Sequence, residues 1–345
     1  MESDGHRSAA ESLTVEPAAP AAVQEEREST TAVIAAIAAN VLVGIVKFIA
    51  AAISGSSAMF SEGVHSIVDS GNDILILLGI RRARRPADAQ HPFGYGKELY
   101  FWTLVVAILI FALGGGVSIW EGIHTVESVG PDTVLGDPTV SYIVLAAAAL
   151  IEGGSLSVAV RQFNRARGGV SPFAFIRDAK DPALYTVVLE DSAAEAGLLI
   201  AFSGIFLGHA LGNPYLDGVA ALLIGALLCL VAVVLLKETK GLLIGEGMKH
   251  DELEEIQSIV ESGDGVSTCG RILTMYMGPR NLMVAVDAGF DPSCTANQVL
   301  SAVDKIEERI AARFPQTSCV FIEAESLRQV RRQHDEFEAQ ADEED

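Results

Sequence analysis

Apolar positions along this chain gather into long runs. Residues 31–53 form the first, with Lys47 near its end, and others cover 99–120, 140–160, 184–207 and 216–236. A sixth run, 58–80, is interrupted by Glu62, His65, Asp69 and Asp73. A helix needs roughly 20 residues to cross a hydrocarbon core about 30 Å thick, and in lipid its backbone must satisfy its own hydrogen bonds. The pattern therefore predicts six transmembrane helices, with 58–80 the weakest on hydropathy alone.

The connections supply the missing support. Arg81, Arg82, Arg84, Arg85 and Lys97 follow the second run, and Arg161, Arg165, Arg167, Arg177 and Lys180 lie between the fourth and fifth. Lys237 and Lys240 follow the sixth, while the other three connections contain no Lys or Arg. Basic connections face the cytoplasm, so both termini are expected there. The alternation works if 58–80 crosses the membrane.

Beyond Lys249 the period changes. Asp251 and Glu254 suggest a capping box ahead of a stripe of Leu253, Ile256, Ile259 and Val260. Two alternating runs, RILTMYM and NLMVAVDAGF, flank Gly278-Pro279-Arg280 as in a hairpin. A second helix is expected from Thr295, carrying Val299, Val303, Ile306 and Ile310, and CVFIE ends the segment as a strand. The predicted fold class is an α-helical membrane protein, with six transmembrane helices followed by a small cytosolic α+β domain (αββαβ, ferredoxin-like). The expected divisions are a disordered acidic tail at 1–30, a transport domain at 31–240, a cytosolic dimerisation or regulatory domain at 249–326 and an acidic tail at 327–345. The amino-terminal segment lacks the positive region of a signal peptide.

Composition agrees with this segregation. The 345 residues are 50% hydrophobic yet carry a formal net charge of −21, and the mean hydropathy is +0.36. With a pI near 4.7 there is no basic face for nucleic acid. Cys229, Cys269, Cys294 and Cys319 are widely separated, which favours isolated thiols over a disulfide frame or zinc knuckle.

The chemistry concentrates where polarity interrupts the apolar runs. His65 and Asp69 are four residues apart and share one helix face, and Glu62 and Asp73 extend that stripe. The fifth helix carries Glu190, Asp191 and Glu195. Ionisable groups at membrane depth cost a few kcal/mol each on insertion scales, so they mark function by default. An imidazole with carboxylates suits a divalent transition metal, Zn²⁺ foremost.

At these residues the chain resembles the cation diffusion facilitator family of metal-proton antiporters. The motif SEGVHSIVDSGNDILILLG at 61–79 is followed by DAQHPFGYGKELYFW at 88–102. The segment VVLEDSAAEAG at 187–197 resembles the branch that includes the mitochondrial zinc transporter. The likeness extends over residues 30–325. It implies a transport site shared by helices 2 and 5, with His65, Asp69 and Asp191 matching the family's ligands. Val187 departs from the pattern, since many members have His or Asp there; Glu190 and Glu195 are the candidates for the missing donor. One histidine with several carboxylates is a harder set than two of each, so Mn²⁺, Fe²⁺ and Co²⁺ stay open beside Zn²⁺.

The implied function is export of a divalent cation from the cytoplasm in exchange for protons. His65 must be neutral and the aspartates ionised to hold metal, so binding competes with protons. A homodimer in a bacterial plasma membrane is the expected setting, with no resident cofactor. A membrane-embedded sensor that binds metal without transport is the rival reading. A metalloenzyme is disfavoured because neither H-E-x-x-H nor G-x-S-x-G occurs. His91, His250, Asp287 and Asp291 are secondary ligand candidates, with structural or solvated roles as alternatives. Gly114-Gly115-Gly116 suggests close helix packing.

Overall fold

The computed structural model describes residues 20–130, 133 and 135–325. Helix α1 (Pro20–Ser54) begins before the first apolar run, so the tail expected to be disordered over 1–30 is helical from Pro20 onward. Residues 1–19 and the acidic tail from 326 lie outside the described residues. Then follow α2 (Ser57–Ala83), α3 (Lys97–Leu109), a π-helical turn (Ile110–Gly115) and α4 (Gly116–Ser128). Helix α5 (Thr139–Ala166), the short α6 (Pro172–Asp178), α7 (Pro182–Leu211) and α8 (Tyr215–Ile244) complete the helical part. The third span is thus α3 and α4 joined through the π turn.

Among the described residues five helices are long and apolar enough to cross a membrane, counting α3 with α4 as one. Helix α2 fails on hydropathy but is 27 residues long and packs against α1, α3, α7 and α8. Its polar stripe is shielded by these neighbours, which is what permits it at membrane depth. Large apolar side chains face outward elsewhere, including Leu150 (82% exposed) and Leu199 (67%). An apolar exterior of this extent suits contact with lipid.

Helix α4, with the π turn before it, meets α8 through matched glycines. A Cβ on Gly122 would lie 2.8 Å from the Gly218 carbonyl, and one on Gly225 would lie 2.9 Å from the Gly115 carbonyl. Gly115 and Gly122 recur on one face, as do Gly218 and Gly225, and their bare backbones touch. Of the glycine run expected to pack closely, Gly114 and Gly115, which end the π turn, lie against α8, whereas Gly116 is exposed.

At the membrane end opposite the basic connections, Asp217 anchors the start of α2. Its carboxylate accepts from Ser56 Oγ (2.5 Å), the Ser57 amide (2.5 Å) and Ser57 Oγ (2.8 Å). Ser56 itself caps α2 by accepting from the Met59 amide. Asp217→Ala is expected to lower stability by about 1.5–3 kcal/mol, the usual loss for hydrogen bonds to a charged group. Thermal unfolding of the detergent-solubilised protein reads this; an unchanged midpoint would show that the anchor contributes nothing.

The soluble part comprises α9 (His250–Glu261), β1 (Val266–Gly278), β2 (Asn281–Phe290), α10 (Ala296–Arg313) and β3 (Thr317–Glu325). The sheet order is β1-β2-β3, antiparallel between the first two and parallel between the last two. The hairpin turns at Pro279-Arg280, as expected. Helix α10 starts at Thr295, where Thr295 and Gln298 cap each other reciprocally. Helix α9 differs from expectation. Its cap lies at Lys249 rather than at Asp251, and the Lys249 amide donates to Glu252 (3.0 Å). Ile256, Val260, Leu282, Val284, Ile306 and Ile310 are buried between the helices and the sheet.

The basic connections lie on the side of this domain. Lys249 pairs with Asp178 (2.9 Å) and Lys180 with Glu246. The Lys249 hydrogen bond holds the Asp178 carboxyl below its ordinary range, and Asp178 raises Lys249 in return. Asn281 Nδ2 donates to the Phe93 carbonyl (3.1 Å) in the loop after α2. The three basic connections and the sheet domain thus share one membrane face.

Candidate metal-transport site

The α2 stripe forms as its spacing dictates. His65 Nε2 lies 3.4 Å from Asp69 Oδ2, one turn along the helix. His65 is 2% exposed. Its Nε2 and Asp69 Oδ1 are buried with no hydrogen-bond partner among the described residues.

Asp69 and Asp73 line a cavity of about 430 Å³ between α1, α2, α5 and α7. Asp191 and Val187 form its α7 wall, Glu152 and Ser155 its α5 wall, and Asn40 its α1 wall. The cavity extends along α2 from Ser66 to Ile80, toward the face that carries the sheet domain. Asp191 accepts from Ser155 Oγ (3.0 Å). The second and fifth spans therefore contribute Asp69 and Asp191 to one space, with His65 packed behind Asp69.

The other two expected donors stand apart from it. Glu190 is buried and accepts from Asn72 Nδ2 (2.8 Å), and it does not line the cavity. Glu195 is not among the lining residues either; its Oε1 lies against Gly153 of α5. Among the described residues no three His, Cys, Asp or Glu side chains converge closely enough to hold a metal in this arrangement. Three of the carboxylates instead have their own partners: Asp191 accepts from Ser155, Glu190 from Asn72 and Glu152 from a lysine.

That lysine is Lys47, fully buried on α1. Its Nζ donates to Glu62 (3.0 Å), Ser66 Oγ (2.9 Å) and Glu152 (2.8 Å). Sequence reasoning gives Lys47 no role and misses Glu152 altogether. The available signal is a lone carboxylate within the fourth apolar run, one helical turn before Ser155.

The secondary candidates are engaged singly. Asp88 accepts from the Gln90 and His91 amides and from Tyr95 Oη (2.6 Å), and His91 stacks on Tyr95. The Tyr95 bond holds the exposed Asp88 carboxyl below its ordinary range. This supports a loop-shaping role for His91. Asp287 pairs with Arg271 (2.8 Å), exposed Asp291 accepts from the Ser293 amide (2.8 Å), and exposed His250 lies 3.5 Å from Glu254. The four cysteines are free thiols, and burial pushes Cys269 up to about 12.

Residues 33–244 match the family described as the cation efflux transmembrane domain, and residues 248–327 match the cation efflux protein cytoplasmic domain. The chain is similar to metal tolerance protein C4 of Arabidopsis thaliana, 30% identical over 284 residues, which are 82% of this chain and 62% of that protein. It is 31% identical over 276 residues to the mitochondrial proton-coupled zinc antiporter SLC30A9 of Xenopus laevis, covering 79% of this chain and 48% of that protein. The chain thus spans less than two thirds of the length of these two relatives. It is 24% identical over 298 residues to magnetosome protein MamM of Paramagnetospirillum magneticum, covering 84% of this chain and 86% of that protein.

Proposed function

The chain belongs to the cation efflux family, a family of transporters rather than enzymes, and from that premise we propose that it exports a divalent transition-metal cation in exchange for protons. Zn²⁺ is the foremost substrate, as in the name of the antiporter it resembles. The observation that carries this reading is the cavity lined by Asp69, Asp73 and Asp191, with His65 Nε2 buried behind Asp69 and making no hydrogen bond. The cavity runs toward the face of the sheet domain, so a cation enters from the cytoplasm.

The protein's own groups supply the coupling. Ligation requires His65 neutral and the aspartates ionised, so loading metal releases protons. When the site faces the other side, protons reclaim the ligands and the metal leaves. The setting is a bacterial plasma membrane with both termini cytoplasmic, and the sheet domain pairs with that of a second copy. The division into a transport domain at 31–240 and a cytosolic domain at 249–326 serves this arrangement.

Flux into proteoliposomes tests the reading, with Zn²⁺, Mn²⁺, Fe²⁺ and Co²⁺ compared at two internal pH values. An imposed proton gradient is expected to drive saturable Zn²⁺ uptake that collapses with an ionophore. Saturable binding with no flux would favour a membrane-embedded sensor instead.

A further inference from the structure

Glu152 and Ser155 lie three residues apart on α5 and line the same cavity as Asp69 and Asp191. Ser155 already touches Asp191, so this face of α5 is within reach of the α7 aspartate. Glu152 Oε1 accepts from Lys47 Nζ at 2.8 Å, while its Oε2 is buried without a hydrogen-bond partner among the described residues. One oxygen is thus fixed by an ammonium and the other is left with free lone pairs. The arrangement suits a ligating carboxylate, in which an outer partner orients one oxygen and leaves the other for a metal.

A second observation is the imidazole behind these carboxylates. His65, 2% exposed, has a buried Nε2 that makes no hydrogen bond and lies 3.4 Å from Oδ2 of Asp69, which lines the cavity. A buried polar atom left unpaired costs about 1–3 kcal/mol, and a bound cation would satisfy nitrogen and oxygens together.

The charges fit as well. Lys47 also pairs with Glu62, which is fully buried. The ammonium is thus shared between two carboxylates, and Glu152 is the member of the pair on the cavity wall. Val187 supplies no donor, and Glu190 and Glu195 lie off the wall.

We propose that Glu152 is the fourth ligand of the transported cation, joining His65, Asp69 and Asp191, with Lys47 as its positioning residue. This rests on the transport-site reading above. One nitrogen and three carboxylates form a hard set, so Mn²⁺ is accepted beside Zn²⁺.

The test is calorimetric titration of the purified full-length protein in detergent with Zn²⁺ and with Mn²⁺, alongside vesicle flux. Glu152→Gln keeps an acceptor for Lys47 but loses the charge; Glu152→Asp withdraws the carboxylate by one methylene and serves where the amide variant does not fold. Each is expected to weaken Zn²⁺ binding at least about tenfold, the least that loss of even an outer partner costs a metal site. Mn²⁺ binding should fall further than Zn²⁺ binding, because the lost donor is a hard oxygen; a merely structural residue would weaken both alike. Wild-type affinity for both metals in a folded variant, or equal loss of both, overturns the assignment. Wild-type protein that binds without flux overturns the antiport reading alone, and wild-type protein that binds neither metal overturns both.

Discussion

Proteoliposomes carrying His65→Ala or Asp69→Asn are expected to move Zn²⁺ about a hundredfold more slowly than wild type, or not at all. The two side chains are 3.4 Å apart on one helix face, and each has a buried atom with no hydrogen-bond partner. A packing histidine would bond a backbone carbonyl, as His209 does through Nδ1 to Ile205. His65 Nε2 makes no such bond and its near neighbour is the Asp69 carboxylate, so on the proposed assignment its removal takes away a ligand while breaking only the contact with Asp69. Loss of an outer-shell partner alone costs a metal site about 10–100-fold, and in the proposed site these two are direct donors. Matching elution and thermal midpoints would establish that the variants fold. Wild-type flux from either folded variant would remove the α2 pair from the transport site.

The six spans were legible because crossing lipid imposes a run length that few other constraints imitate. Helix α2 is the instructive case: its hydropathy fails, and the alternation of basic and non-basic connections identifies it. What hydropathy averages conceal is the single residue. Glu152 disappears among its apolar neighbours, and its meaning depends on Lys47, 105 positions away. Glu190 shows the converse: helical geometry puts it near Asp191, but its carboxylate accepts from Asn72. Caps divide similarly. Thr295 has a hydroxyl that can accept and is found as expected, whereas α9 is capped one-sidedly at Lys249, a residue whose side chain offers no acceptor. Helical periodicity assigns a face, but the partner on that face is decided by tertiary packing.

Lys47→Met is expected to lower the stability of the protein by about 3–5 kcal/mol, the loss typical when one member of a buried ion pair is removed. Lys47 and Glu62 are both 0% exposed, and the ammonium joins α1 to α2 through Glu62 and Ser66 and to α5 through Glu152. Removing it leaves Glu62 in an apolar interior with neither its Oε1 nor its Oε2 bonded. Glu152 suffers less, because its side chain is 15% exposed on the cavity wall where Glu62 is fully buried. The double variant Lys47→Met/Glu62→Met separates the pair's net worth from the cost of breaking it, since well-packed apolar replacements for a buried pair are often neutral or stabilising. Thermal unfolding in detergent should therefore show a large drop for the single variant and recovery of most of it in the double one. A double variant no more stable than the single one would mean that Lys47 holds the three helices through Ser66 and Glu152, with Glu62 a bystander.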